Sequence, residues 1–344
     1  MSKVSVNIVS WNSMRHLPET LASIDAQTFK DLSLMVIDNA SSDDVLDHVR
    51  SQYPKAMILR NTHNMGFSHA HNQGIAHVKA HCDDPENTYV LVTNPDVVLE
   101  RDYIAILVDQ MSHRPDVGSA CGKILKLFEG EGEFGQGVRS GRFDSTGLRI
   151  TRGRRVADRA SGENDDGDYD RTEEVFGVSG ALAMYRVSAL DDVAWRGEYF
   201  DEDFFAYKED IDLAWRLRLR GWQALYVPRA VAHHYRTASI KERASKLETA
   251  FNPHRQIKKH INFYSYRNHL LTLVKNEHFL NLLRDMPRIG WYEFQKFAFV
   301  ALFEQRTFKG LADFFRNLPR AVEKRHMIMS RSTVGSGEIR KWFK

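Results

Sequence analysis

Val90-Leu91-Val92-Thr93-Asn94-Pro95-Asp96 is the stretch from which the fold can be read. Apolar, mostly β-branched residues run up to Thr93 and stop at Asn-Pro-Asp, where the proline fixes the chain direction. This is a buried strand that delivers a carboxylate to its own end. Twice upstream a strand-like run likewise ends in polar residues. Val4–Val9 ends in Ser10-Trp11-Asn12, and Leu34–Ile37 ends in Asp38-Asn39-Ala40-Ser41-Ser42-Asp43. Helical spacing fills the intervals: Leu17, Leu21 and Ile24 after Pro18-Glu19, then Val45–Tyr53, then Ala70–Ala80. A third strand, Met57–Leu59, precedes Asn61–Gly66. This alternation predicts an α/β fold with a mixed, mostly parallel sheet and helices on both faces. Ligands of such sheets bind beyond the carboxyl ends of the strands. Ser10 and Asn12, Asp38 and Asn39, and Asn94 and Asp96 cluster at those ends.

Downstream the pattern changes. Residues 129–174 are rich in Gly, Asp and Arg and read as a long polar loop region, functional or mobile. A strand-like run, Val175–Met184, follows, interrupted by Gly177 and Gly180. From Tyr264 the spacing is helical, with Pro287 expected to stop the first run. Two further stripes follow, Trp291 to Ala301 and Phe308 to Leu318. The predicted division is a catalytic domain over 1–250 and a basic, aromatic-rich helical extension over 251–344.

Charge sharpens that division. The chain has 344 residues and a formal net charge of +3. Residues 251–344 hold 18 Lys and Arg against 7 Asp and Glu, a net +11, which leaves −8 on residues 1–250. The tail therefore calls for a negatively charged partner. With 42% hydrophobic residues the chain can bury a core. Cys82 and Cys121 form no Cys-x-x-Cys, which argues against a disulfide scaffold or a cysteine zinc site. Met1-Ser2-Lys3 shows no secretory pattern, and the longest apolar run, Phe297–Phe303, falls far short of the roughly 18 residues of a membrane span. The expected location is cytoplasmic, peripheral at the inner face of the cell membrane.

Three segments carry candidate chemistry. Asp96 can hold a divalent ion bridging two phosphate oxygens, or Asn94-Pro95-Asp96 is simply a turn. Glu209-Asp210 opens a helix whose apolar spacing is Ile211, Ala214 and Leu217. The pair either complements the helix dipole or supplies a general base for a hydroxyl nucleophile, with Phe204, Phe205 and Tyr207 walling off water. Val227–His234 ends a strand in two imidazoles, one of them a candidate metal ligand or phosphate contact if it meets Asp96. Asn64-Met65-Gly66-Phe67 and Asn72-Gln73-Gly74 bracket a helix start that favours an anion. Gly-x-Gly-x-x-Gly after the first strand, a Walker sequence and Gly-x-Ser-x-Gly are all absent, which argues against dinucleotide dehydrogenases, P-loop NTPases and α/β-hydrolases.

The order of these segments resembles the family-two glycosyltransferases of GT-A fold, and most of all the bacterial rhamnosyltransferases of cell-envelope polysaccharide synthesis. The resemblance rests on Ile8–Ser13, Val36–Asp43, Asn64–Phe67, Asn94–Leu99, Gly180–Leu182, Phe200–Leu213 and Val227–His234. Asp144-Ser145-Thr146-Gly147, Tyr185-Arg186 and Arg267-Asn268-His269-Leu270-Leu271 are similar to the rhamnosyl subgroup.

The resemblance implies an inverting transferase. Ser10, Asn12, Asp38 and Asn39 would line the nucleotide pocket, and Asn64, Asn72 and Asn94 would join them on the nucleotide-sugar. Asp96 and His234 would hold Mg²⁺ or Mn²⁺ on the diphosphate, and Asp210 would be the base, with Glu209 the alternative. Many GT-A enzymes carry Asp-x-Asp. Here Asn94 stands at the first carboxylate position, so the diphosphate itself must supply most of the ion's ligands. The expected donor is dTDP-L-rhamnose, with a UDP- or GDP-hexose as the alternative, and the acceptor is a glycan or lipid-linked glycan. A non-catalytic nucleotide-sugar sensor on the same fold would need neither Asp96 nor the acidic pair. The basic, aromatic tail fits helices on an anionic membrane surface, or else packs on the catalytic domain or a second subunit in a homo-oligomer. No nucleic-acid motif is present.

Overall fold

The computed structural model describes residues 2–129, 137–236, 254–303 and 308–344. The expected boundary at 250 and the glycine-rich positions 130–136 lie outside the described residues.

The first half alternates as predicted: β1 (Lys3–Ser10), α1 (Leu17–Asp25), β2 (Leu32–Asp38), α2 (Val45–Gln52), β3 (Met57–Arg60), α3 (Gly66–Ala80) and β4 (Thr88–Thr93). Strands β3, β2, β1 and β4 lie side by side in that order, all parallel. In register, Ser10 lies opposite Asp38 and Ile8 opposite Thr93, so three strands present their carboxyl ends at one level. Side chains of β4 alternate between the two faces. Tyr89 and Leu91 pack with Leu21, Val49 and Leu107 on one face. Val90 and Val92 pack with Ile75, Leu190 and Leu217 on the other. A strand buried on both faces reads as a continuous apolar run, which is why 89–92 lacks polar alternation.

The second half completes the sheet. It contains β5 (Val97–Leu99), α4 (Tyr103–Ser112), β6 (Val117–Phe128), β7 (Val138–Ser145), β8 (Leu148–Ile150), β9 (Val156–Asp158), β10 (Glu173–Val175), β11 (Leu182–Arg186), α5 (Val187–Val193), α6 (Glu209–Leu219) and β12 (Gln223–Tyr235). Antiparallel β11 joins β4 to β6, and β12 runs parallel to β6. The register of β12 shifts between Val227 and Val231, at Pro228. Proline is tolerated inside a strand at such a bulge. Gly122 makes room for it: a Cβ there would lie 2.0 Å from the Ala230 carbonyl oxygen. Past the bulge, His234 pairs with Val97 of β5.

Two expectations are corrected. Residues 137–174 are not a loop: they contain β7 to β10 and bury Phe143, Leu148, Ile150 and Arg154. Strands of three residues with charged neighbours leave no periodic trace. Pro287 does not stop a helix. The break comes earlier, between α7 (His254–Asn276) and α8 (Phe279–Phe303), and Pro287 sits exposed inside α8. On the solvent side, water can serve the carbonyl that loses its amide partner.

The extension ends in α9 (Phe308–Arg331), α10 (Ser336–Ile339) and a short 3₁₀ turn, Arg340–Trp342. It docks on the body. Phe343 packs edge-on to Trp215 of α6, with ring centroids 5.7 Å apart. The last residue pairs with β8: Lys344 donates its backbone N–H to the Ile150 carbonyl at 3.1 Å, and Arg152 donates to the Lys344 carbonyl at 2.9 Å. Arg154, fully buried, bonds Glu277 and Asp285 across this junction. No described helix is long and apolar enough to cross a membrane.

Candidate active site

The ends of β1 and β2 form a polar floor. Ser10 and Asp38 are buried, and neither the Ser10 hydroxyl nor Asp38 Oδ2 has a hydrogen-bond partner among the described residues. The nearest cation to Asp38 Oδ2 is Arg60, at 3.5 Å. Asp38 Oδ1 accepts the Ser41 N–H at 3.0 Å. Asn12, at φ 51°, accepts the Ser42 N–H at 2.8 Å, and its own N–H donates to the Ser41 hydroxyl at 3.0 Å. Asn12 thus ties the end of β1 to the loop after β2. An unpaired buried hydroxyl and carboxylate oxygen are costly unless a ligand meets them.

Asn39 and Asn64 build the entry to α3. The Asn39 amide donates to the Gly66 carbonyl at 3.1 Å, and Asn64 Oδ1 accepts the Gly66 N–H at 2.9 Å. Asn72 differs from expectation. It is buried, and its amide donates to the Phe200 carbonyl and to Glu202 while its oxygen accepts the Tyr199 and Phe200 N–H groups. Its hydrogen-bonding capacity is used in holding the 199–202 loop. Asn94 is half-buried, and its backbone N–H donates to the Ala181 carbonyl at 2.9 Å.

The sheet brings Asp96 and His234 together. Asp96 follows β4, and His234 sits on β12 beside β5, which puts His234 Nε2 at 3.2 Å from Asp96 Oδ1. His234 Nδ1 lies 2.8 Å from Asp144 Oδ2. Burial opposes charge on this imidazole, but the hydrogen bonds to Asp144 and then Asp96 outweigh it and raise its pKa to about 9. Burial likewise works against ionised Asp144, yet bonds from His234 and Arg236 lower its pKa to about 2. A metal-binding imidazole commonly has its far nitrogen on a carboxylate. Among the described residues no group of three or more His, Cys, Asp or Glu is placed to hold a metal. Asp96 and His234 alone would offer a divalent ion two ligands, and the imidazole, held protonated between two carboxylates, would have to release the proton on Nε2 to be one of them.

The acidic pair at the start of α6 is split by burial. Glu209 is buried, its Oε2 unpaired. Desolvation, then the charge of Asp210, pushes its carboxyl up to about 8, which favours the protonated form. Asp210 is half-buried, and its Oδ2 accepts the Gly180 N–H at 3.0 Å while Oδ1 accepts the Ile211 N–H at 2.8 Å. Gly180 keeps that approach open, since a Cβ there would lie 3.2 Å from the Asp210 Cβ.

A family model described as glycosyltransferase like family 2 matches residues 2–249. The chain belongs to this family. It is a glycosyltransferase. An N-acetylglucosaminyl-diphospho-decaprenol L-rhamnosyltransferase of Mycobacterium tuberculosis is 28% identical over 250 residues, 70% of this chain and 78% of that protein. A poly-beta-1,6-N-acetyl-D-glucosamine synthase of Staphylococcus aureus is 23% identical over 226 residues, 65% of this chain and 48% of the relative. Among solved structures, GalNAc-T7 with UDP, GalNAc and Mn²⁺ matches with a TM-score of 0.57 at 13% identity, covering 80% of this chain and 48% of that one. Residues 1–349 of S. aureus TarS match with a TM-score of 0.54 at 15% identity, covering 96% and 87%. These likenesses show the fold to be GT-A.

Within this glycosyltransferase, Asp144 and Arg236 extend the Asp96–His234 cluster, and neither had a role assigned from the sequence. Arg236 bonds both carboxylate oxygens of Asp144, at 2.6 and 2.8 Å. Asp144 lay in a stretch similar to rhamnosyl enzymes, but only the pairing of β7 with β6 and of β6 with β12 brings it to His234.

Proposed function

We propose that the protein is an inverting glycosyltransferase that moves L-rhamnose from dTDP-L-rhamnose to a hydroxyl of a lipid-linked glycan. The observation that carries the reaction is the division of the acidic pair: Asp210 is half-buried and oriented by two backbone N–H groups, beside a buried Glu209. Asp210 takes the proton of the acceptor hydroxyl as its oxygen attacks the anomeric carbon in line. The bond from that carbon to the diphosphate breaks, and the electron pair leaves with the diphosphate. Asp96 and His234 would hold a divalent cation, Mg²⁺ or Mn²⁺, which would supply positive charge to that leaving group. The Ser10 hydroxyl and Asp38 Oδ2, which make no hydrogen bond among the described residues, would face the nucleotide. Rhamnose and the lipid-linked acceptor are supported by the mycobacterial relative.

Asp210→Asn should lower kcat by about 10²–10⁴-fold with nucleotide affinity nearly unchanged. Near-normal turnover would overturn the base assignment. A thermal-shift series with dTDP-rhamnose, UDP-sugars and GDP-sugars tests the donor, because a ligand well above its dissociation constant raises stability. Stabilisation by a UDP- or GDP-hexose alone would replace rhamnose.

The acceptor reading places the enzyme at the inner face of an anionic membrane through α8. Its inward face holds Asn281, Asp285 and Ile289. Its outward face exposes Phe279, Leu283, Met286, Trp291 (61%), Phe294 (60%) and Leu302 (72%). Asp285 is buried against Arg154, and Glu293 is paired with His269 at 2.7 Å. The charges left outward on this helix, Arg284 and Arg288, are positive. An apolar face flanked by arginines suits a helix lying in an anionic interface. Trp291→Glu with Phe294→Glu should abolish sedimentation with phosphatidylglycerol vesicles at unchanged thermal midpoint. Retained sedimentation would remove the membrane role, and a dimer that dissociates in the variant would assign the face to a second copy.

A further inference from the structure

The extension does more than offer a surface. Tyr207 and Lys208, immediately before the acidic pair, both have positive φ, 71° and 74°. Two consecutive non-glycine residues in the left-handed region are strained and persist only where the surroundings hold them. The holder is α7. Asn268 is fully buried, and its amide donates to the Ala206 carbonyl at 3.0 Å and the Tyr207 carbonyl at 2.7 Å. Its oxygen accepts Arg267 Nε at 2.9 Å, so the amide is locked in that orientation. Arg267 also donates to the Asp203 carbonyl at 2.6 Å and pairs with Asp313 of α9. The Phe205 ring stacks on Tyr264 of α7, centroids 5.3 Å apart, and the Phe205 carbonyl accepts the Phe67 N–H at 2.7 Å. The loop is thus gripped between the start of α3 and the flank of α7. Its last carbonyl, that of Lys208, accepts the Asp212 N–H at 3.0 Å and opens α6.

We propose that Asn268, locked by Arg267, is the positioning residue of the base: it fixes the left-handed turn that sets where Asp210 stands. The assignment rests on the transferase reading for its kinetic consequence, but the turn itself can be tested without turnover. In Asn268→Ala, backbone amides of 204–210 should exchange hydrogen faster while those of β1 and β4 do not, because only the loop loses its partners. Turnover per nucleotide-binding site should fall about 10–100-fold, the scale expected when a reacting group shifts by about 1 Å. Nucleotide affinity should stay within about threefold. A purely structural defect would instead lower the number of binding sites and leave turnover per site intact. Tyr264→Leu, at a half-buried position, removes the stack under Phe205 and gives a second test should the buried substitution prevent folding. Unchanged exchange over 204–210, or turnover per site within twofold of wild type, overturns the assignment. If the wild-type protein transfers no sugar, the transferase reading fails, and the exchange pattern alone decides the turn.

Discussion

Among single residues, the acidic pair is the sharpest case of what burial adds to a sequence. The spacing of Ile211, Ala214 and Leu217 placed Glu209 and Asp210 at a helix start, but neighbours in sequence cannot be ranked by basicity. The left-handed turn before them sends Glu209 inward and leaves Asp210 half-buried. The neutral Glu209 has a consequence for stability. Its folded pKa, about 8, is above its ordinary 4.5, so the folded state binds the extra proton. That contribution is fully present below 4.5 and is lost as pH rises through about 8. Thermal midpoints of wild type and Glu209→Gln should therefore diverge in the variant's favour between pH 5 and 9. Parallel curves would mean that Glu209 is not held neutral. Asp144 makes a second residue-level claim. Asp144→Asn should weaken Mn²⁺ binding in the presence of nucleotide diphosphate by about 10–100-fold, measured by titration calorimetry. An unchanged affinity would remove His234 from the ion's ligands.

Elements differed in how far they could be read. The parallel half was legible because each buried strand ends abruptly in polar residues. Ser10, Asp38 and Asp96 stand at those ends, where the proposed donor site lies. The region after 137 was not legible. In β7 the apolar content is Val138 and Phe143, and β8 and β9 have three residues each, so their partners rather than their periodicity define them. Asn72 looked like a ligand contact because it is polar and near a helix start, whereas the loop it holds arrives from 128 residues away. The bulge in β12 is the element on which the Asp96–His234 meeting depends. Gly122→Ala should cost about 1–3 kcal/mol in denaturant unfolding, since a methyl group meets backbone there. A silent substitution would show that the bulge relaxes freely.

At the scale of the whole molecule, the charge asymmetry acquires a second explanation. The basic extension and the acidic body are in part each other's counter-ions. Lys275 of α7 pairs with Asp201 and Asp212, and Lys324 of α9 with Glu198, Asp201 and Asp203. Composition showed that the halves were opposite in sign, but it could not show that they touch. The end of the chain belongs to the same joint. Phe343→Ala should lower stability by about 3–5 kcal/mol, read as a shift in the denaturant midpoint at unchanged slope. A shift below about 1 kcal/mol would mean that residues 340–344 are only loosely attached.

The grip of α7 on the base loop also orders events during synthesis. A ribosome delivers the chain from its N-terminus, and domains begin to form in that order. Strands β1 to β4, with Ser10, Asp38 and Asp96 at their ends, are complete long before Asn268 is made. A chain halted between Asp210 and Asn268 would hold the nucleotide end of the sheet without the brace that sets the turn. Translation thus completes the strands that carry Ser10, Asp38 and Asp96 before it supplies the residue proposed to brace the base.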